Sequence, residues 1–162
     1  MLRTVDKILQ VLLLSLLPTF EGRYALLYGI AVGLSPVLSL AVASVGVVLL
    51  STVLSTAFGF IDRILLRLSS TASFLKFVGR LYTKYILSAR RRAKPYVDRY
   101  GVLGLTIFVA IPLPATGVWT GALAAYVLGF SRRRTLLSLV LGGMISNIIT
   151  FAMALLGLNM LA

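Results

Sequence analysis

The sequence predicts an all-α integral membrane protein. It is expected to hold two inverted repeats, each a re-entrant broken-helix hairpin plus one transmembrane helix, joined by a basic amphipathic helix. Three observations carry that expectation. The tracts 8–20, 24–61, 100–131 and 135–162 contain no charged residue. Proline, glycine and serine punctuate the apolar sequence in the same order in both halves. Most of the positive charge falls in one block between the halves, 62–99, with a further Arg132-Arg133-Arg134.

About 20 apolar residues cross a bilayer, so the long tracts are membrane segments. A net charge of +12 on 162 residues would also suit a nucleic-acid binder. A soluble domain of this length could not bury the uncharged tracts, which excludes that partner. The chain has no cysteine and no histidine. Disulfides, thiolate metal sites, cysteine nucleophiles and the usual general base are therefore excluded, and the carboxylates are only Asp6, Glu21, Asp62 and Asp98. No enzyme, metal or cofactor is expected.

The first segment follows Arg3 and Lys7 and runs 8–17. It resembles a signal peptide without a small-residue cleavage site, so it is retained in the mature fold. Tract 24–61 would run about 57 Å as one helix and must break, at Gly33-Leu-Ser-Pro36. Tract 100–131 breaks at Pro112-Leu-Pro114. The short pieces left, 8–17 and 20–33, then 101–111 and 115–130, suit re-entrant segments better than full spans. Each pair is followed by one long apolar segment, 37–60 and 135–158.

A shift of 96 residues aligns Pro18 with Pro114, Gly33 with Gly129, Ser35 with Ser131 and Gly46 with Gly142. The domain is thus one membrane unit: repeat one 8–60, connector 61–99, repeat two 100–158. Small residues repeat every fourth position at Ser39, Ala43, Ser51, Ser55 and Gly59, with Val47 between, and at Ser138, Gly142, Ser146, Thr150 and Ala154. They are read as helix-packing stripes, and Asn147 as an interhelical hydrogen-bond partner.

In the connector, Phe74, Phe77, Val78, Leu81, Tyr82, Tyr85 and Ile86 share one helical face and Lys76, Arg80, Lys84 and Arg91 the other. Such a helix suits an anionic headgroup layer. The basic middle segment is expected in the cytoplasm and the termini outside, by charge asymmetry. Arg91 and Arg132 are candidate headgroup contacts, and membrane lipids the expected partners. A second copy, forming a homodimer, could help enclose a path.

Two breaks hold the candidate site. In PTFEGRY, Pro18 and Gly22 interrupt the helix, Thr19 can cap a helix starting near Phe20, and Glu21 falls in its first turn. Arg23 offers a planar donor fork suited to phosphate, with a Glu21–Arg23 pair that closes the fold as the structural alternative. Ionisable residues within a membrane point to function by default. In FVAIPLPATGVWTGALAAY, Pro112 and Pro114 remove backbone donors, Thr116 can cap the following helix, and Gly117 and Gly121 leave room for a neighbour. Trp119 brings an indole N–H that needs a partner. Glu21, Arg23, Thr116, Gly117 and Trp119 are the candidates for proton or substrate handling.

Tyr100 through Ala125, with Pro18 through Arg23 in support, resembles the small multidrug-export family, which is itself distantly similar to the DedA/SNARE-associated (VTT domain) superfamily. The resemblance implies hairpins meeting near the midplane and, by the DedA likeness, translocation or scrambling of a polyprenyl phosphate or phospholipid. Glu21 would be the acidic hairpin residue and Arg23 the hairpin arginine. The second hairpin, with Thr116 and Gly117, lacks the second acidic residue of a proton-coupled member. Lipid translocation is the leading expectation; a proton-linked exporter of small amphiphilic drugs and a non-transporting scaffold are the alternatives.

Overall fold

The structure, a computed structural model, describes residues 4–18, 20–68, 73–113 and 116–161, with side chains described outside 58–68, 73–86 and 158–161. Its helices are α1 (Thr4–Leu16), α2 (Glu21–Ala31), α3 (Pro36–Leu68), α4 (Ser73–Tyr100), α5 (Val102–Ala110), α6 (Val118–Val127) and α7 (Arg132–Leu161). Among the described residues there is no strand.

The predicted breaks fall where proline and glycine place them. Pro36 opens α3 at the first helical position, where its missing N–H costs nothing. Just before it, α2 closes in a Schellman turn: Gly33 N–H donates to Ile30 O and Leu34 N–H to Gly29 O, both at 3.0 Å, with Gly33 at φ 82°. The same turn closes α6. Gly129 N–H donates to Tyr126 O at 3.1 Å and Phe130 N–H to Ala125 O at 2.9 Å, with Gly129 at φ 74°.

These two turns are related by the 96-residue shift, residue for residue. The shift also carries the end of α2 onto that of α6 and the start of α3 onto that of α7. The correspondence is thin in side chains and much plainer in backbone geometry.

Among the described residues, two helices are long and apolar enough to cross a membrane, over Pro36–Ala57 and Arg132–Gly157. Both exceed the expected segments: α3 continues to Leu68 and so absorbs the first part of the expected connector, while α7 begins at Arg132. Their outward faces are apolar, with Val37, Val45, Leu49 and Val53 exposed on α3 and Leu137, Leu141, Ile148, Met153 and Leu156 on α7. A continuous apolar exterior of this kind suits lipid rather than water.

The inward faces carry the small-residue stripes. Ser39, Ala43, Val47 and Ser51 are buried on α3, as are Ser138, Gly142, Ser146 and Thr150 on α7. The two helices pack on each other. A Cβ added to Gly143 would come within 2.6 Å of Val47 Cγ1, and one on Gly142 within 2.7 Å of the Thr106 carbonyl. Backbones approach this closely only because those positions lack side chains.

The core has two parts. Val11, Ala25, Leu26, Leu34 and Ala43 join α1, α2 and α3. The larger part gathers Val47, Leu105, Phe108, Val109, Leu123 and Leu139 from α3, α5, α6 and α7. The second half of α4 belongs to it as well: Ala89 and Ala93 are buried while Arg90, Arg91, Arg92 and Lys94 face outward. The connector is thus docked on α5 and α6 along one face. Its predicted apolar face at 74–86 lies outside the described side chains.

Candidate functional site: a charged clamp between two helix breaks

The two breaks meet. Breaking a helix leaves free carbonyls at one end and free N–H groups at the next start, and apolar surroundings offer them no water. Here the charged pair of the first break answers both needs of the second. The Glu21 carboxylate accepts from Val118 N–H at 3.2 Å through Oε2 and from Trp119 N–H at 3.1 Å through Oε1. It thereby caps the start of α6 from another helix, where negative charge meets the positive end of the dipole.

Arg23 does the converse for the carbonyls of the break between α5 and α6. Its Nη1 donates to Ile111 O at 3.3 Å and Leu113 O at 3.2 Å, and its Nη2 to Thr116 O. The same Nη2 lies 3.3 Å from Glu21 Oε2, closing an ion pair. Glu21 is 5% exposed and Arg23 6%, so each charge has left water. Desolvation costs several kcal/mol per ion, which only multiple well-placed hydrogen bonds can offset. The four acceptors around Arg23, three carbonyls and the carboxylate, and the three donors on Glu21 are such a set.

Trp119 reciprocates. Its indole N–H donates at 3.2 Å to the carbonyl of Leu16, the last residue of α1. Each break therefore caps the other.

Thr116 differs from expectation. Its hydroxyl donates to Ile111 O at 2.6 Å or Leu113 O at 2.7 Å, so it secures the turn behind it, and Glu21 caps the helix ahead. Thr19 and Pro114 lie outside the described residues. Phe20, which precedes α2, makes no side-chain cap.

Two backbone features make room for the clamp. Gly117, at φ 126°, has no side chain where a Cβ would collide with Glu21 Oε2 and Arg23 Nη2. Glu21 itself sits at φ 49°, alone among the described non-glycine residues in being left-handed. The 96-residue shift carries Glu21 onto Gly117, so a positive-φ position occurs at the same place in each half. In one half it is filled by the carboxylate and in the other left open to receive it. Such a conformation for glutamate costs about 1–3 kcal/mol and persists only where contacts over-determine it.

Gly22 completes the arrangement. A Cβ there would stand 2.6 Å from Val47 Cγ2 and 2.7 Å from Asn147 Oδ1. A small cavity of about 10 Å³ lies beside the clamp, lined by Glu21, Arg23, Val118, Gly143, Ser146 and Asn147 among others. A larger groove of about 410 Å³ opens next to the first break, between Gln10, Leu13, Leu14, Phe20 and Tyr28. Tyr28 donates its hydroxyl to Gln10 Oε1 at 2.8 Å across it.

The structure thus brings together Glu21, Gly22, Arg23, Thr116, Gly117 and Trp119, with Pro18 and Pro112 at the flanking breaks. Arg91 and Arg132 are exposed, on α4 and at the start of α7. The sequence does not announce the backbone acceptors and donors that partner the charges, nor the place of Ser146 and Asn147 beside the clamp. The one signal it carries for them is the pairing of Gly22 with Val118 and Val47 with Gly143 under the 96-residue shift.

An all-helical chain with two bilayer-length apolar helices, an apolar exterior and its buried charges paired at helix breaks is a membrane protein. It belongs to the family described as small multi-drug export protein, whose model matches residues 21–149. That span opens on Glu21 and takes in every clamp partner except Leu16. No curated protein and no solved structure gives a match.

Proposed function

We propose that the chain is a membrane exporter of small amphiphilic cations, with Glu21 as the counter-charge that a substrate recruits from the N–H groups at the start of α6. The observation that carries this reading is the unequal state of the two charges. Every donor face of the Arg23 fork toward the second break is taken up by the carbonyls of Ile111, Leu113 and Thr116. Holding a phosphate through the same fork would require giving up those three carbonyls. Glu21, by contrast, can turn from the N–H donors of Val118 and Trp119 toward a cation while Arg23 stays held by its carbonyls. The neighbouring groove supports the same reading: about 410 Å³ with leucine walls and two aromatic rings is of the size and character that take drug-sized, cationic ligands. The family's description agrees.

The 96-residue correspondence supports two inverted repeats whose short helix pairs, α1–α2 and α5–α6, are re-entrant hairpins meeting within the bilayer. In this topology α3 and α7 cross the membrane, and the connector and Arg132-Arg133-Arg134 lie in the cytoplasm, where Arg91 and Arg132 contact anionic headgroups. Transport of this kind makes and breaks no covalent bond, so the protein is not an enzyme, and a homodimer could complete the enclosure of the path.

The test compares wild type with Glu21→Gln in cells challenged with tetraphenylphosphonium or ethidium, and the purified proteins in a dithionite assay of fluorescent-phospholipid flipping. Resistance conferred by wild type and lost in the variant, with flipping at background, supports the exporter. Accelerated flipping without resistance would replace it with lipid translocation. Neither activity would leave a scaffold.

A further inference from the structure

Three hydrogen-bonding atoms beside the clamp have no protein partner among the described residues: Arg23 Nε, Ser146 Oγ and Asn147 Nδ2. All belong to residues at least nine-tenths buried, with Asn147 1% exposed, Ser146 4% and Arg23 6%. All three residues line the same cavity of about 10 Å³, along with Glu21. Buried polar groups are almost always paired, so three unpaired ones around one space call for a common partner.

We infer that this cavity is an internal water site in which one water molecule joins α7 to the Glu21–Arg23 clamp. The chemistry selects the occupant. Arg23 Nε–H and Asn147 Nδ2–H can only donate, so the ligand must accept twice. Ser146 Oγ and the carboxylate of Glu21 can accept from it, so the ligand is also able to donate. Water alone at this size does both, and the volume is that of a single water centre. A halide would accept from the same two donors, but the Glu21 carboxylate in the wall opposes a second anion.

The site gives Asn147 and Ser146 a role that packing does not explain. They are positioning residues: through the water they reach the clamp, so α7 registers whether the two breaks are closed. Gly22 is part of the device, since a Cβ there would stand 2.7 Å and 2.8 Å from the two Asn147 amide atoms and crowd the space.

The inference is tested on the full chain in lipid bilayers by water-edited solid-state NMR, following polarisation transfer from water to Arg23 Nε. Fast transfer is expected in wild type, unchanged when chloride is replaced by gluconate. At least a several-fold loss is expected in Asn147→Leu, which is of similar size but apolar, and in Ser146→Ala. Wild type without transfer to Arg23 Nε would overturn the site, and an Arg23 Nε shift that follows chloride would assign it to a halide instead. Transfer that survives unchanged in both variants would remove Asn147 and Ser146 from it. Because the readout is hydration, it stands apart from the export reading: a failed resistance assay leaves it untouched.

Discussion

Replacing Glu21 by glutamine is a near-isosteric change that asks whether the clamp holds the fold together. The carboxylate receives three donors: Val118 N–H, Trp119 N–H and Arg23 Nη2. A glutamine side chain offers one acceptor oxygen and turns its other end into a donor. One of the three donors then faces a donor instead of an acceptor, at about 1–3 kcal/mol. Arg23 also keeps its charge in a buried place without its ion partner. Breaking a buried pair from one side costs about 3–5 kcal/mol in total, the unpaired donor included. For a chain of this size each kcal/mol moves the melting midpoint by about 2–4 °C, so Glu21→Gln should fall by about 6–20 °C in mixed micelles. The double variant Glu21→Gln/Arg23→Met should be less damaged than the sum of the single changes, because each removes the partner that strands the other. A midpoint within about 2 °C of wild type, or strict additivity, would show that the clamp does not bear on stability and refute its structural role.

Gly117→Ala should cost more than a helix-interior glycine change, because the new methyl collides with the carboxylate and guanidinium and sits at a positive φ; loss of folded protein on size exclusion is the expected readout. Gly129→Ala isolates the backbone term, since nothing lies within 4 Å of its Cβ position. It should lower stability by about 1–2 kcal/mol, with Gly129→Asn recovering part of that in the same melting assay. Asp98→Asn breaks the exposed pair with Lys94 and should shift stability by less than about 0.5 kcal/mol, as a control for charge changes in general.

Much of this arrangement is legible in the amino-acid sequence. Charge-free tracts mark the membrane helices, Pro36 and Gly33 mark one turn, and Gly129 marks its repeat, because these signals are local. The pairing of Glu21 with Val118 and Trp119 is not local: it joins residues almost a hundred positions apart through backbone N–H groups that nearly every residue type carries. Thr116 illustrates the same limit. A threonine before a helix is a sound cap by spacing, but a carboxylate from another helix already occupies the donors, so its hydroxyl turns back to the preceding carbonyls. Asn147 reads as an interhelical partner from its place beside a stripe of small residues. Only the cavity beside Gly22 shows that its amide nitrogen is left over.

The most direct test of the central claim is the dipolar coupling between Glu21 13Cδ and the backbone 15N of Trp119, measured in bilayers with and without saturating tetraphenylphosphonium. The strong coupling of hydrogen-bonded neighbours is expected in the free protein, and its loss when the cation binds. A coupling absent from the free protein, or unchanged by bound cation, would contradict the clamp as the place where substrate is exchanged.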